Sequence, residues 1–407
     1  MSGPLSGVRV LDFSSAVTGP FCTMLMGDLG ADVIKIESAG GDILRYLNVT
    51  FKAGVGSWFI NFNRNKRSIQ LDLKHPNARQ TVLRMVRQSD VLVQNFRPGV
   101  MERLGLDYTT VRAYNPKIVY LSISGFGAEG PYAHKPCYDP VIQGMSGVAF
   151  VQGGRGKPTF VRMALADKMT SMTAIYHVLA ALVAAERHGV GQEIKLSMLD
   201  SLLSFIAPDC MFGYTFVPDE EFRHLSISDA VMQPLPTKDG YIIACAATNE
   251  QWERMSHALG KPEWVRQYPT PGDRAAHITD ILTAMDALFP QKTTKEWLAI
   301  FEAADVPCGP VYTFDEVLQD PQLAFNQTFV EYDHPVAGRV RGVNVPGKFS
   351  ATPTRVQHHA PGLGEHTVEI LREFGFTPEQ IATLLEEKVA LQAQRSTDNS
   401  LAQAATT

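Results

Sequence analysis

Asp167, in the stretch MALADKMTS, stands at the head of a long apolar segment and is the carboxylate best placed to do chemistry. A desolvated, ionised carboxylate aimed into a cleft can attack an acyl group as a nucleophile. The competing job is structural, because an aspartate in front of a helix commonly caps backbone N–H groups. In either role, the positive end of the helix dipole would lower its pKa and keep it charged. Asp139, in CYDPV, carries the same ambiguity. No histidine falls at triad spacing; His75, His134 and His366 sit in loop or helix-end contexts and read as surface residues.

Three further stretches could bind rather than react. SSAVTGP at 14–20 follows a strand, the place where doubly wound sheets receive ligands. It is not a GxGxxG fingerprint, and no GxxxxGK[ST] occurs, so NAD and ATP have little support. NRNKR at 63–67 could hold the phosphates of a large anionic ligand through charge-assisted hydrogen bonds, or could simply be a solvated face. NFRPG at 95–99 ends another strand, with Asn95 and Arg97 as candidate donors and Pro98-Gly99 to turn the chain.

These residues need a scaffold, and the first 130 positions describe one. Runs rich in β-branched residues (VRVLDF at 8–13, DVIKIE at 32–37, SIQLDL at 68–73, VLVQNF at 91–96, KIVYLSISGF at 117–126) read as buried strands. Residues 19–29 and 77–88 have helical spacing, and Pro76 opens the second. Strand and helix alternating in this way predict βαβ units, hence an α/β chain with a doubly wound, mostly parallel sheet. A long helix is expected over 167–187, then a strand and helix over 193–207. A second strand-and-helix region begins with GYIIACA at 240–246. It has helices near 250–259, 274–288 and 293–304. Residues 334–363 read as extended, and helices at 365–374 and 377–387 close the folded part.

A chain of 407 residues has room for two or three domains at roughly 150 residues each. The expected division is a large domain over 1–213, a linker over 214–239 with its DEE run and no glycine, and a smaller α+β domain over 240–330. Residues 331–391 return to the large domain, and 392–407 form a disordered tail. A net charge of -5 argues against nucleic acid as a partner. MSGPLSGVRV lacks the features of a signal peptide, and the longest apolar run, 178–185, is far short of the roughly twenty residues a bilayer requires. No membrane association is therefore expected. Five scattered cysteines without a CxxC pair fit a reducing cytoplasm and offer no metal site.

Taken together, the chain resembles the family III CoA-transferases, the group that includes formyl-CoA transferase and α-methylacyl-CoA racemase. The likeness runs through 7–37, NRNKRSIQLDLK (63–74), VLVQNFRPGVMERLGLDY (91–108), LADKMTSMTA (165–174), TKDGYIIACAATNEQW (237–252), VPCGPVYTFDEVLQDPQL (306–323) and APGLGEHTVEILREFG (360–375). The resemblance implies that Asp167 is the nucleophile. It also implies that coenzyme A, a substrate rather than a bound cofactor, is met by Val17, Thr18, Ser38, Leu71, Asp72, Leu73, Lys74, Asn95, Phe96, Arg97, Arg103, Tyr138 and Asp139. It further implies a Rossmann-like large domain, a small middle domain, and two chains interlocked as rings in a homodimer.

Departures from the family narrow the function. The racemases' histidine falls on Tyr138, which removes one of two proton-transfer groups that epimerisation needs. Formyl-CoA transferases have glutamine at the position of Val17, arginine at that of Ser38, and a glycine run where 214–239 has none. Oxalate and formate are accordingly poor expectations. The expected activity is CoA transfer from an acyl-CoA to a carboxylic acid, a dicarboxylate among the possible acceptors. Backbone N–H groups at the start of the Asp167 helix would stabilise the oxyanions. Arg162 is either a contact for a substrate carboxylate or a surface residue. The alternatives are an acyl-CoA racemase and a non-catalytic CoA-binding protein.

Overall fold

The computed structural model describes residues 3–47, 50–154, 156–217 and 233–392. Most of the expected linker (218–232) and the expected tail (393–407) lie outside the described residues.

The strands in chain order are β1 (Arg9–Asp12), β2 (Asp32–Glu37), β3 (Phe51–Lys52), β4 (Val55–Gly56), β5 (Lys66–Leu71), β6 (Val91–Gln94), β7 (Val119–Ser124) and β8 (Glu193–Ser197). They continue with β9 (Leu235–Pro236), β10 (Tyr241–Ala244), β11 (Cys308–Pro310), β12 (Phe329–His334), β13 (Gly338–Val343) and β14 (Ala390–Leu391). Helices up to residue 210 are α1 (Thr18–Asp28), α2 (Ser57–Asn63), α3 (Pro76–Val86), α4 (Val100–Leu104), α5 (Tyr108–Tyr114), α6 (Asp139–Met145), α7 (Val148–Gly153), α8 (Leu165–His188) and α9 (Met198–Cys210).

The main sheet has seven strands in the order β14-β5-β2-β1-β6-β7-β8. All neighbours pair parallel except β14, which runs antiparallel to β5. Its strands read as near-continuous apolar runs because both faces are covered. Leu11, Ile34, Ile69, Leu71, Leu92 and Tyr120 share one core with α3 residues Val82, Leu83 and Val86 and with Ile370, Leu371 and Ile381 from the C-terminal helices. The chain starts in mid-sheet, builds outward through β2 and β5, then crosses to β6 on the other side of β1. The loops after β1 and β6 therefore flank a topological switch point.

The chain separates into two compact units. The larger contains Met1–Gly153, Lys157–Ala207 and the chain from Asn326 onward; the smaller is chiefly Pro208–Phe325. The smaller unit has a three-stranded antiparallel sheet, β11-β10-β9, over an aromatic core of Trp252, Trp264, Phe289, Trp297 and Phe301. Every residue of the candidate site discussed below belongs to the larger unit.

Several sequence expectations shift. The β5 strand occupies 66–71 rather than 68–73, because Lys66 is buried and ion-paired and so can open a strand that its charge argued against. The hairpin β12–β13 takes 338–343 out of the segment expected to be merely extended. Among the described residues, α8 is long and apolar enough to cross a membrane by length and composition, which counting unbroken apolar runs missed. It packs on α1, α6, β7 and β8.

Candidate active site

The loop after β1 is built from strain and buried charge. Ala16 adopts φ 66°, in the left-handed region that a Cβ disfavours. Gly19 cannot carry a side chain, since a Cβ there would lie 2.2 Å from the Ser14 Cβ. Beneath the loop, Asp12 is fully buried, 3.0 Å from the Lys66 ammonium, and accepts hydrogen bonds from Ser14 and Thr23. Burial alone would raise its pKa; Lys66, Lys35 and the two hydroxyls overcome this and hold it at about 2.

The loop ends at Thr18, the first residue of α1, and its hydroxyl donates to Asp167 Oδ1. Asp167 lies in the first turn of α8, as its third residue, rather than in front of the helix as expected. It makes no capping bond, so the capping role is set aside. The α8 start is fixed instead by neighbours. The Asp167 amide donates to Asp139 Oδ1 at 3.1 Å, and Ser171 Oγ bridges the Thr18 and Asp167 carbonyls at 2.6 and 2.8 Å. Asp139 opens α6, and its other oxygen accepts from Gln143 at 2.6 Å. Gln143 in turn ties down Val161 and Met163, the strap leading into α8.

The pKa of Asp167 runs opposite to expectation. Burial raises it, the Thr18 hydroxyl opposes that, nearby Asp139 raises it further, and Lys168 opposes weakly; the result is about 6. Desolvation and a like charge outweigh the helix dipole here. Three of the expected oxyanion donors are also engaged. At the head of α8, Leu165 N donates to Met163, Asp167 N to Asp139, and Lys168 N to Ala164.

Parallel pairing puts the carboxyl ends of β5, β2, β1 and β6 on one edge of the sheet. This edge brings together Asp72 to Lys74, Ser38, Val17 with Thr18, and Asn95 to Arg97. Lys74, Ser38, Arg97 and Arg103 are exposed there, and Tyr138, ahead of α6, is 73% exposed. Others of the expected contacts face inward. Leu71 is in the core, and Leu73 and Phe96 pack against it. Val17 is buried with Leu44, Phe59, Ile60, Ala337 and Ala360. Both amide atoms of Asn95 are engaged by Ser15, and both carboxylate oxygens of Asp139 by Gln143 and Asp167. Arg162 is exposed.

The basic stretch 63–67 is not a phosphate cradle. Arg64 pairs with Asp28 at 2.6 Å, Lys66 with Asp12, and Arg67 with Asp32, Glu369 and Glu373. Its charges are spent inside the fold. Gln143, Lys35 and Asp42 were absent from the sequence expectations. For Lys35 a signal existed, since in DVIKIE a charged residue interrupts a strand that is otherwise buried. A cavity of about 550 Å³ bounded by Arg84, Arg87, Tyr114 and Phe376 contains none of these site residues.

Asp167 thus meets the loop at the switch point of a doubly wound α/β sheet, the place where such sheets receive ligands. Residues 5–367 match CoA-transferase family III, and the chain belongs to that family of enzymes. An "Acyl-CoA transferase" of Fusarium pseudograminearum is 33% identical, the match covering 95% of this chain and 88% of that one. A "Formyl-CoA:oxalate CoA-transferase" of Escherichia coli is 32% identical, over 94% of this chain and 99% of that one. A CaiB/BaiF family protein from Brucella suis, of known crystal structure, superposes with a TM-score of 0.79 at 30% identity. That superposition covers 92% of this chain and all of the other.

Proposed function

We propose that the protein transfers CoA from an acyl-CoA donor to a carboxylic acid, with Asp167 as the nucleophile. The observation that carries this is the setting of Asp167. It is a partly buried carboxylate with one oxygen oriented by Thr18 and the other without a hydrogen-bond partner among the described residues. A pKa of about 6 leaves it mainly ionised at neutral pH, yet more basic than an ordinary aspartate and so a better nucleophile.

Asp167 attacks the donor thioester carbonyl and expels CoA thiolate, giving a mixed anhydride. The thiolate attacks the aspartyl carbonyl, which forms an aspartyl-CoA thioester and releases the donor acid as its carboxylate. The acceptor carboxylate attacks this thioester to give a second anhydride and thiolate. The thiolate then attacks the acceptor's carbonyl, releasing the new acyl-CoA and restoring Asp167. One thioester replaces another, so no ATP is needed. With the Leu165, Asp167 and Lys168 amides engaged, the oxyanion donors fall to the start of α1, where the Thr18 and Gly19 amides have no partner among the described residues. The sheet edge from Lys74 past Ser38 to Arg97, with Arg103, supplies the exposed donors for the extended CoA chain.

The acceptor is sought among mono- and dicarboxylic acids. Oxalate, the substrate in the Escherichia coli relative's name, is disfavoured by Val17 and Ser38. We place the protein in the cytoplasm, which its five unpaired cysteines support. We also read it as a homodimer, supported by the exposed Met172, Tyr176 and Val183 along α8.

The test is incubation with acetyl-CoA and succinyl-CoA followed by hydroxylamine and peptide mapping. Hydroxamate at Asp167 is the expected product. Its absence, with solvent deuterium entering the α-carbon of the acyl group, would instead establish the racemase reading; absence of both reactions would leave a CoA-binding protein.

A further inference from the structure

Two buried charges lie under the turn that carries Thr18 to Asp167, and the proposed chemistry uses neither. Lys35 is on β2 and Asp42 follows it; both side chains are fully buried, with Nζ 2.8 Å from Oδ2. Such pairs are costly to desolvate, and apolar residues of similar volume are often at least as stabilising. Stability alone therefore gives little reason for the pair. One bond from each partner goes to the turn, and Asp42 also caps the short helical turn that follows it. Lys35 Nζ donates to the Ser14 carbonyl at 2.9 Å, and Asp42 Oδ1 accepts from the Ala16 amide at 3.1 Å and from the Leu44 amide at 2.9 Å. Asn95, from across the switch point, grips Ser15 between them. Its Oδ1 accepts from the Ser15 amide at 3.0 Å and its Nδ2 donates to the Ser15 carbonyl at 2.8 Å.

Three consecutive residues are thus held by side chains from three separate segments, and one of the three, Ala16, is in a left-handed conformation. Backbone strain of this kind persists only where its surroundings over-determine it, and it gathers at functional sites. Two residues further on, the Thr18 hydroxyl meets Asp167.

We propose that Lys35 and Asp42 are positioning residues of the transfer reaction, their buried ion pair holding Ser14 to Ala16 in the strained turn that delivers the Thr18 hydroxyl to Asp167. The inference rests on Asp167 as the nucleophile. The pair touches no reacting atom; it acts through Thr18.

The test uses Lys35→Met/Asp42→Leu, which removes both charges together and orphans neither. Lys35→Met/Asp42→Asn, which retains an acceptor for the Ala16 amide, is a milder second variant should the first fail to fold. The readout is the titration of the Asp167 carboxyl, followed by 13C NMR in aspartate-labelled protein and assigned by its loss in Asp167→Asn. The groups that shape this titration are Thr18, Asp139 and Lys168. Because Thr18 lowers the pKa, releasing the turn moves the titration to higher pH in the Leu variant, and less far in the Asn variant. Adding Thr18→Val to either moves it no further than Thr18→Val alone. The rate of hydroxylamine trapping from acetyl-CoA falls about tenfold, with the acetyl-CoA concentration dependence little changed. An unchanged titration in the folded variant, or full additivity with Thr18→Val, overturns the proposal even when wild-type Asp167 is trapped. Failure to trap wild-type Asp167 overturns the nucleophile reading itself, and the positioning role with it.

Discussion

The side chain of Asp139 accepts a hydrogen bond from the backbone of Asp167 at 3.1 Å while its negative charge raises the pKa of the Asp167 side chain. One residue thereby fixes where the Asp167 carboxylate stands and makes it a stronger base.

Activity should follow the ionisation of Asp167. With the best donor and acceptor from a substrate screen, kcat/KM should rise with pH on the acid side with a midpoint near 6. In Asp139→Asn the like charge is gone and the midpoint should move to lower pH. The new amide would face the Gln143 amide as donor to donor, so the unfolding midpoint should fall as well. A midpoint unmoved in this variant would remove Asp139 from the electrostatics.

Thr18→Val should move the same midpoint the other way. The hydroxyl bond favours the charged carboxylate, and bonds to charged groups contribute about 1.5–3 kcal/mol. At pH 7 the loss should lower kcat by at least about tenfold, with KM for the donor changing little. A pH-rate profile and initial rates decide it.

Asp167→Asn should abolish transfer and yet stabilise the fold. A carboxylate whose folded pKa is raised to about 6 binds protons more tightly when folded. Its penalty is therefore absent below the unfolded pKa near 4, grows as pH rises to 6, and persists above. At pH 7.5 the substitution should add on the order of 2 kcal/mol, and below pH 4 nothing. Urea melts at the two pH values measure the difference.

Substitutions in the basic stretch should separate folding from binding. Lys66→Met leaves Asp12 buried without its partner and should cost about 3–5 kcal/mol. Arg67→Gln should weaken the fold but leave CoA affinity intact, whereas Lys74→Gln or Arg97→Gln should weaken CoA binding without unfolding the protein. Asp12, held at about 2, adds stability above pH 4 that is lost as pH falls toward 2. Calorimetric titration with CoA and acid denaturation check both halves.

The sheet was legible in the sequence because strands covered on both faces have to be apolar, and β1, β2, β6 and β7 stand where their hydrophobic runs lie. Helices such as α4, α6 and α7 were not legible, because five to seven residues hold too few turns to show a period. The position of Asp167 could be read from its helix, but its pKa could not. Asp139 is 28 residues away and Thr18 is 149, and only the fold brings them together. The stretch 63–67 misled for a related reason: its counter-charges, Asp12, Asp28, Asp32, Glu369 and Glu373, are scattered along the chain.

The antiparallel strand β14 has a consequence for synthesis. The Asp72 amide, at the start of the Asp72 to Lys74 turn, donates to Val389, and Ala390 pairs with Leu71. A nascent chain that has left the ribosome as far as α9 holds β5 with one edge unpaired and the Asp72 amide uncapped. The part of the sheet edge proposed as a CoA contact is therefore finished only after the chain from α9 to Val389 and Ala390 has been added. A half-made copy of this enzyme would lack that support while the rest of the chain is still being translated.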